Sequence, residues 1–211
     1  MPNPVRARRA PRLGTKARSE WEILSDQIRH CQLCPLGRTR THAVVYRGSL
    51  APHVVFVGEA PGREEDRLGI PFVGRSGQWL DASIERLGLA ANEFGILNVL
   101  KCRPPDNRFD PKAGRTCRPY LDRQLALLRP ALLVPLGRTA LRTLVPEAPP
   151  ILESAGHPLP SSGERAIFPL LHPAAALRSR RWKQRWDRDI VALGAWLAVD
   201  SEKNHTVRRS R

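Results

Sequence analysis

Apolar residues along this chain fall into short continuous runs, separated by stretches in which they recur every three or four positions. HVVFVG (53–58), GILNVLK (95–101), ALLVPLG (131–137) and RAIFPLLHP (165–173) are runs of the first kind and predict four buried strands. The intervening stretches predict helices. SEWEILSDQIRH (19–30) places Trp21, Leu24 and Ile28 near one face, and GRSGQWLDASIERLGL (74–89) spaces Leu80, Ile84 and Leu87 for a core. CRPYLDRQLALLRP (117–130) reads as a helix stopped by Pro130, and a short helix follows the third strand at 138–144. WKQRWDRDIVALGAWLAV (182–199) closes the pattern as a long helix, with Trp182 and Trp186 four apart and expected in the core. Strands alternating with helices predict an α/β fold with a mainly parallel sheet.

Sites in such sheets gather beyond the carboxyl ends of the strands. Glu59, Asn98 and His172 each stand at a predicted strand end, so they are expected to converge on one cleft. The first strand runs into GEAPGREED (58–66), which holds carboxylates at Glu59, Glu64, Glu65 and Asp66 around two glycines and a proline. Acid in that place suggests a site. It also suits a helix start, where carboxylates counter the dipole.

Charge narrows the partner. The 211 residues carry 35 Lys+Arg against 20 Asp+Glu, a net charge of +15. A polyanion, nucleic acid first, is the simplest partner for such a surface. Residues 1–18 are basic, free of acid and proline-bearing, and read as a tail; 201–211 read as a second one, leaving 19–200 as the domain. No apolar run reaches the roughly 18 residues of a membrane span, and the basic N-terminus lacks the apolar core of a secretory signal. A cytoplasmic monomer without membrane contact is the expectation. Cys31, Cys34, Cys102 and Cys117 are spaced C-x2-C-x67-C-x14-C. In a cytosolic chain that predicts metal ligation rather than disulfides, and spacing alone suits zinc and a 4Fe–4S cluster equally.

Three blocks now come together: GEAPGREEDRLGIPFVGRSG (58–77), NVLKCRPPDNR (98–108) and HPAAALR (172–178). With the four cysteines in the same order, they resemble the type 4, iron–sulfur uracil-DNA glycosylases over roughly residues 24–198. The resemblance implies a three-layer α/β/α sandwich around a four-stranded, mainly parallel sheet. It also implies hydrolysis of the bond between uracil and deoxyribose in DNA, leaving an abasic site, and it selects 4Fe–4S as the cofactor on Cys31, Cys34, Cys102 and Cys117.

The same likeness assigns roles, and the residue types fit them. Uracil-containing DNA must give up its base to a pocket. The amide of Asn98 can accept from uracil N3–H and donate to O4, a pairing that mismatches cytosine. Phe72 is the stacking face, with Glu59 and Ala60 shaping the pocket; Ala60 stands where type 1 relatives place an aspartate. His172 is the donor to O2, where negative charge develops. Glu65 is the water-activating carboxylate, with Asp66 in support. Lys101, Arg103, Arg108, Arg178, Arg180 and Arg181 are expected on DNA phosphates. Leu177 is expected as the wedge that fills the gap left by the flipped base, one place later than the family's leucine, whose position here is Ala176.

Two alternatives keep the DNA and drop the hydrolysis. One is a covalent uracil-DNA binder, whose added loop ends in a histidine that residues 102–117 lack. The other is a non-catalytic DNA-binding module stapled by an iron–sulfur or zinc site, which would not need Asn98, Phe72, Glu65 and His172 together. A ferredoxin-like electron carrier fits neither the charge nor the wide cysteine spacing.

Overall fold

The computed structural model describes residues 14–160 and 165–209, with side chains described up to residue 200. Five strands form one sheet: β1 (Arg47–Gly48), β2 (Val54–Gly58), β3 (Phe94–Asn98), β4 (Leu132–Pro135) and β5 (Ala166–Ile167), in the order β1-β3-β2-β4-β5. Only β1 runs antiparallel to its neighbour. The four expected strands form the parallel part. The fifth, β1, is a two-residue edge pairing Arg47 with Ile96 and Gly48 with Gly95, too short to leave an apolar run. The expected strand over 165–173 pairs only at Ala166–Ile167, with one further bridge at Leu170. Pro169 interrupts it, since proline lacks the N–H a ladder requires.

Strand side chains alternate, and the alternation builds two cores. Val54, Phe56, Ile96, Leu132 and Val134 face one layer of helices: α4 (Arg75–Arg86) through Leu80 and Ile84, α8 (Pro173–Ala176) through Ala176, and α9 (Arg180–Arg209) through Trp186, Ile190 and Leu193. Val55, Val57, Leu97 and Leu133 face the other: α1 (Thr15–Arg29) through Trp21, α5 (Pro111–Leu128) through Leu121, Leu125 and Leu128, and α6 (Arg138–Leu144) through Ala140. This is the three-layer α/β/α sandwich. Among the described residues, no helix is long and apolar enough to cross a membrane.

Several boundaries differ from expectation for local reasons. Helix α1 begins at Thr15, inside the expected tail; residues 1–13 lie outside the described ones. Helix α5 begins six residues before Cys117, because Asp110 caps it, accepting from Lys112 N–H at 2.8 Å, and Pro111 suits the first helical position. Helix α9 runs on to Arg209, so the expected second tail is helical over most of its length. The acidic stretch is itself a helix, α3 (Arg63–Leu68), with Glu64, Glu65 and Asp66 in its first turn. Two further single turns are α2 (Leu36–Thr39) and α7 (Ile151–Ser154).

Trp186 ties α9 to α4: it is fully buried, and its Nε1–H donates to Ser83 Oγ at 2.9 Å. Trp186→Ala is expected to lower the free energy of unfolding by about 3–5 kcal/mol, read from urea denaturation.

Candidate active site

The register of β2 on β3 places Gly58 directly beside Asn98. From there the chain leaves β2 through Glu59, Ala60 and Pro61 into α3, and leaves β4 through Leu136 and Gly137 into α6. These exits, with Asn98 and His172, line a cleft of roughly 810 Å³ at the carboxyl end of the sheet. The sheet order reverses about β2, so this is the switch point where α/β folds place ligands. The expected residues Glu59, Ala60, Glu65, Phe72, Asn98, His172 and Arg178 all line it.

Asn98 is 1% exposed, and among the described residues neither its Oδ1 nor its Nδ2 has a hydrogen-bond partner. A buried amide left unpaired costs about 1–3 kcal/mol per group, so the fold holds a destabilising feature at the cleft wall. One acceptor beside one donor is the complement of a cyclic imide edge. Gly58 makes the arrangement possible. A Cβ there would lie 2.3 Å from Asn98 Oδ1 and 2.6 Å from the Phe72 ring.

Phe72 adopts φ 55°, in the left-handed region that bulky residues avoid. Two neighbours hold it there. Gly77 admits the close approach of the Phe72 carbonyl, which would stand 1.9 Å from a Cβ. Glu65 fixes the following turn: its Oε1 accepts from Val73 N–H at 2.9 Å and Gly74 N–H at 2.8 Å, while Oε2 accepts from Gly62 N–H at 3.0 Å. Glu65 is therefore a structural clamp between the start of α3 and the Phe72 turn, with three of its four lone-pair sites committed to backbone. The expected water-activating role does not match that geometry. Asp66 departs further: it lies outside the cleft lining, and its carboxylate accepts from Thr41 N–H at 3.0 and 3.2 Å. Among the carboxylates of the cleft, that of Glu59 alone has no hydrogen-bond or ion-pair partner among the described residues, its backbone carbonyl accepting from Leu100 N–H at 3.0 Å; exposed Glu64 pairs with Arg67.

His172 caps α8, and its Nδ1 accepts from Ala174 N–H at 3.2 Å. That bond assigns the proton of a neutral ring to Nε2, which is left to donate. The ring stands 5.9 Å from that of Phe72, centroid to centroid. Burial pushes its pKa down to about 4, the Arg178 charge adds to the effect, and Glu65 opposes it.

The basic residues separate into two groups. Arg178 lines the cleft, and Arg180 and Arg181 are exposed in the first turn of α9, where a helix dipole disfavours cations. Arg108 is exposed and Arg103 half-buried on the loop after β3, with Arg103 bonded to Asn107. Leu177 is 39% exposed at the end of α8, whereas Ala176 is buried, so the shifted leucine is the one that projects. Lys101 corrects the expectation of a phosphate contact. It is 1% exposed, its Nζ donates to the Asn98 carbonyl at 2.5 Å, and burial lowers its amine to about 8 against the influence of Cys117 and Cys102. Three cleft cations had no sequence expectation: Arg63, Arg75 and Arg138. Each follows the glycine that caps its helix, and that repeated Gly-Arg step was the available signal.

The four cysteines come together behind this cleft. Cys31 and Cys34 follow α1, Cys102 follows β3 and Cys117 projects from α5; all four line one cavity with Ile28, Arg40, Lys101 and Tyr120. Arg40 donates to Cys102 Sγ at 2.9 Å. Burial pushes the Cys102 thiol up to about 11 and that of Cys117 in the same direction. A metal would hold these sulfurs as thiolates, and Arg40 and Lys101 supply the positive charge that such a buried anion needs. Among the described residues no three His, Cys, Asp or Glu form a single-ion site. The four sulfurs share one cavity lining, and four thiolates there could hold a metal centre.

Fold and cleft define a class of protein: the model of the uracil DNA glycosylase superfamily matches residues 45–192. A type-4 uracil-DNA glycosylase of Thermotoga maritima is 40% identical over 161 residues, covering 75% of this chain and 84% of its own. One of Saccharolobus solfataricus is 39% identical over 166 residues, covering 74% and 76%. A type-5 uracil-DNA glycosylase of Mycobacterium tuberculosis is 29% identical over 140 residues, covering 58% and 51%. The chain belongs to the type-4 uracil-DNA glycosylases.

His172 gives the cleft a testable electrostatic signature. Its folded pKa lies below the unfolded value near 6.5, so the folded state resists protonation. The associated stability is complete above pH 6.5 and is lost as pH falls toward 4. An NMR titration is expected to leave the His172 ring resonances unchanged from pH 8 to 6, with a midpoint near 4.

Proposed function

We propose that this chain is a DNA-repair glycosylase that flips uracil out of DNA and hydrolyses its N-glycosidic bond, leaving an abasic site. The observation that carries the proposal is the buried, unpartnered amide of Asn98 beside the Phe72 ring. That amide accepts from uracil N3–H and donates to O4. Cytosine presents a lone pair and an amino group at those positions and is rejected. Phe72 stacks on the base, while Leu177 fills the vacated stack.

As the bond from N1 to the sugar breaks, its electron pair moves onto uracil and charge accumulates on O2. The Nε2–H of neutral His172 meets that charge. The sugar is left cationic, and a water adds at its C1′. Glu59, not Glu65, takes the proton of that water: both Glu59 carboxylate oxygens are uncommitted at the cleft, whereas three backbone N–H groups bind the Glu65 carboxylate and disfavour its protonation. Arg178, Arg180, Arg181, Arg103 and Arg108, with Arg63, Arg75 and Arg138, hold the phosphates and give affinity that falls with salt.

Cys31, Cys34, Cys102 and Cys117 hold a 4Fe–4S cluster. When bound, it staples α1 to α5 and to the loop after β3; no step of the hydrolysis passes through it.

A single-turnover assay on a duplex with one uracil, without added metal, tests the proposal. Strand scission only after alkali, and none with thymine, is expected; a band shift that survives denaturation would mean covalent capture instead. His172→Ala and Glu59→Gln are each expected to slow cleavage by about a hundredfold. Glu65→Gln is expected to act mainly through a lower Tm, read by thermal unfolding.

A further inference from the structure

Lys101 is the one fully buried lysine of the described core, and the proposed mechanism gives it nothing to do. Its place is singular. The backbone around it bridges the two centres, since Asn98 ends β3 and Cys102 follows Lys101 directly. Its side chain turns back: Nζ lies 2.5 Å from the carbonyl oxygen of Asn98, whose own amide recognises the base. The same residue lines the cavity of the four cysteines. Among the described residues no carboxylate pairs with it, so the anion its surroundings can supply is the cysteine centre, once metal binding holds those sulfurs as thiolates. A buried ammonium without counter-charge is strongly destabilising, which gives Lys101 a reason to stay where the sulfurs hold it.

We propose that Lys101 is a positioning residue that couples the metal centre to base recognition, its ammonium held by the metal-bound cysteine thiolates while it fixes the backbone carbonyl of Asn98. This rests on the metal-bound state proposed above. The coupling runs through one contact. The anionic centre anchors the ammonium, the ammonium fixes the Asn98 peptide, and the peptide sets the aim of the Asn98 side chain. Asn98 has no side-chain hydrogen bond to hold that aim, so the backbone must do it. Gly58 and Phe72 close around the amide so tightly that a small shift of the peptide would carry Oδ1 away from its ligand.

Two substitutions and two ligands test this. Lys101→Met keeps the length and loses both the charge and the donor. Lys101→Gln loses the charge and keeps a donor. Free uracil, titrated calorimetrically, reports on Asn98, and undamaged duplex DNA reports on the phosphate contacts. Lys101→Met is expected to weaken uracil binding about tenfold, the scale of one charge-assisted hydrogen bond, while binding to undamaged DNA stays within twofold. Lys101→Gln is expected to recover part of the uracil affinity. Both variants are expected to lose bound metal to a chelator faster than the wild type, followed by visible absorption and metal analysis. Uracil affinity within twofold of wild type in Lys101→Met would overturn the proposal. So would a parallel fall in uracil and undamaged-DNA binding with a lower Tm, which means general destabilisation. Iron and sulfide analysis of the wild type tests the identity of the cluster separately: zinc in their place would refute 4Fe–4S and leave the Lys101 result to stand or fall on uracil binding.

Discussion

Three backbone N–H groups converge on the Glu65 carboxylate, and the cleft takes its shape from that convergence. Gly62 opens α3, and Val73 and Gly74 close the turn that carries Phe72. Drawing them onto one side chain fixes the separation of two loops that share no strand. Phe72 can then keep a backbone conformation worth about 1–3 kcal/mol of strain, because the turn after it has no freedom to relax. With the ring in place, Gly58 and Asn98 form the opposite wall at the end of a parallel strand pair. A carboxylate used in this way acts as a structural fastener, and its location in a cleft says nothing about its readiness to take a proton.

The parts of the site set by strand ends were legible in the chain. Buried strands leave apolar runs, and Glu59, Asn98 and His172 stand at the ends of three of them. Their convergence follows from the switch-point rule without knowledge of any side-chain contact. Parts set by tertiary packing were not legible. Nothing local distinguishes Glu65 from Asp66 or Glu59, since all three sit within eight residues and differ only in which backbone groups fold onto them. Lys101 reads as one more cation in a basic segment, and only the closing of the cysteine cavity behind it shows that it never meets solvent. The short edge β1 and the early start of α5 escaped for related reasons. A two-residue strand has no period, and the Asp110–Pro111 cap lies before the apolar stripe begins.

Charge is organised in two tiers. The outer tier is arginine on exposed loops and helix starts around the cleft, suited to a polyanion and screened by salt. The inner tier is Arg40 and Lys101 against four sulfurs, in a cavity where screening is weak. Other cations of the basic stretch after His172 belong to neither. Arg185 is bonded to Asp189 and to the Ala155 carbonyl, and Lys183 rests over the Trp79 ring. A count of basic residues along α9 therefore overstates the surface that can face nucleic acid.

The unpaired amide of Asn98 sets stability and usefulness against each other at a single position. A sequence drifting under selection for thermal resilience alone would gain by replacing it with an apolar residue of similar volume, and the fold would be the firmer for it. An unpaired amide in a wall shared with glycine and phenylalanine marks position 98 as one that engineering for robustness should leave untouched. The slack for such engineering lies in exposed apolar side chains such as Val191 and Ile23, on helix faces away from the cleft lining.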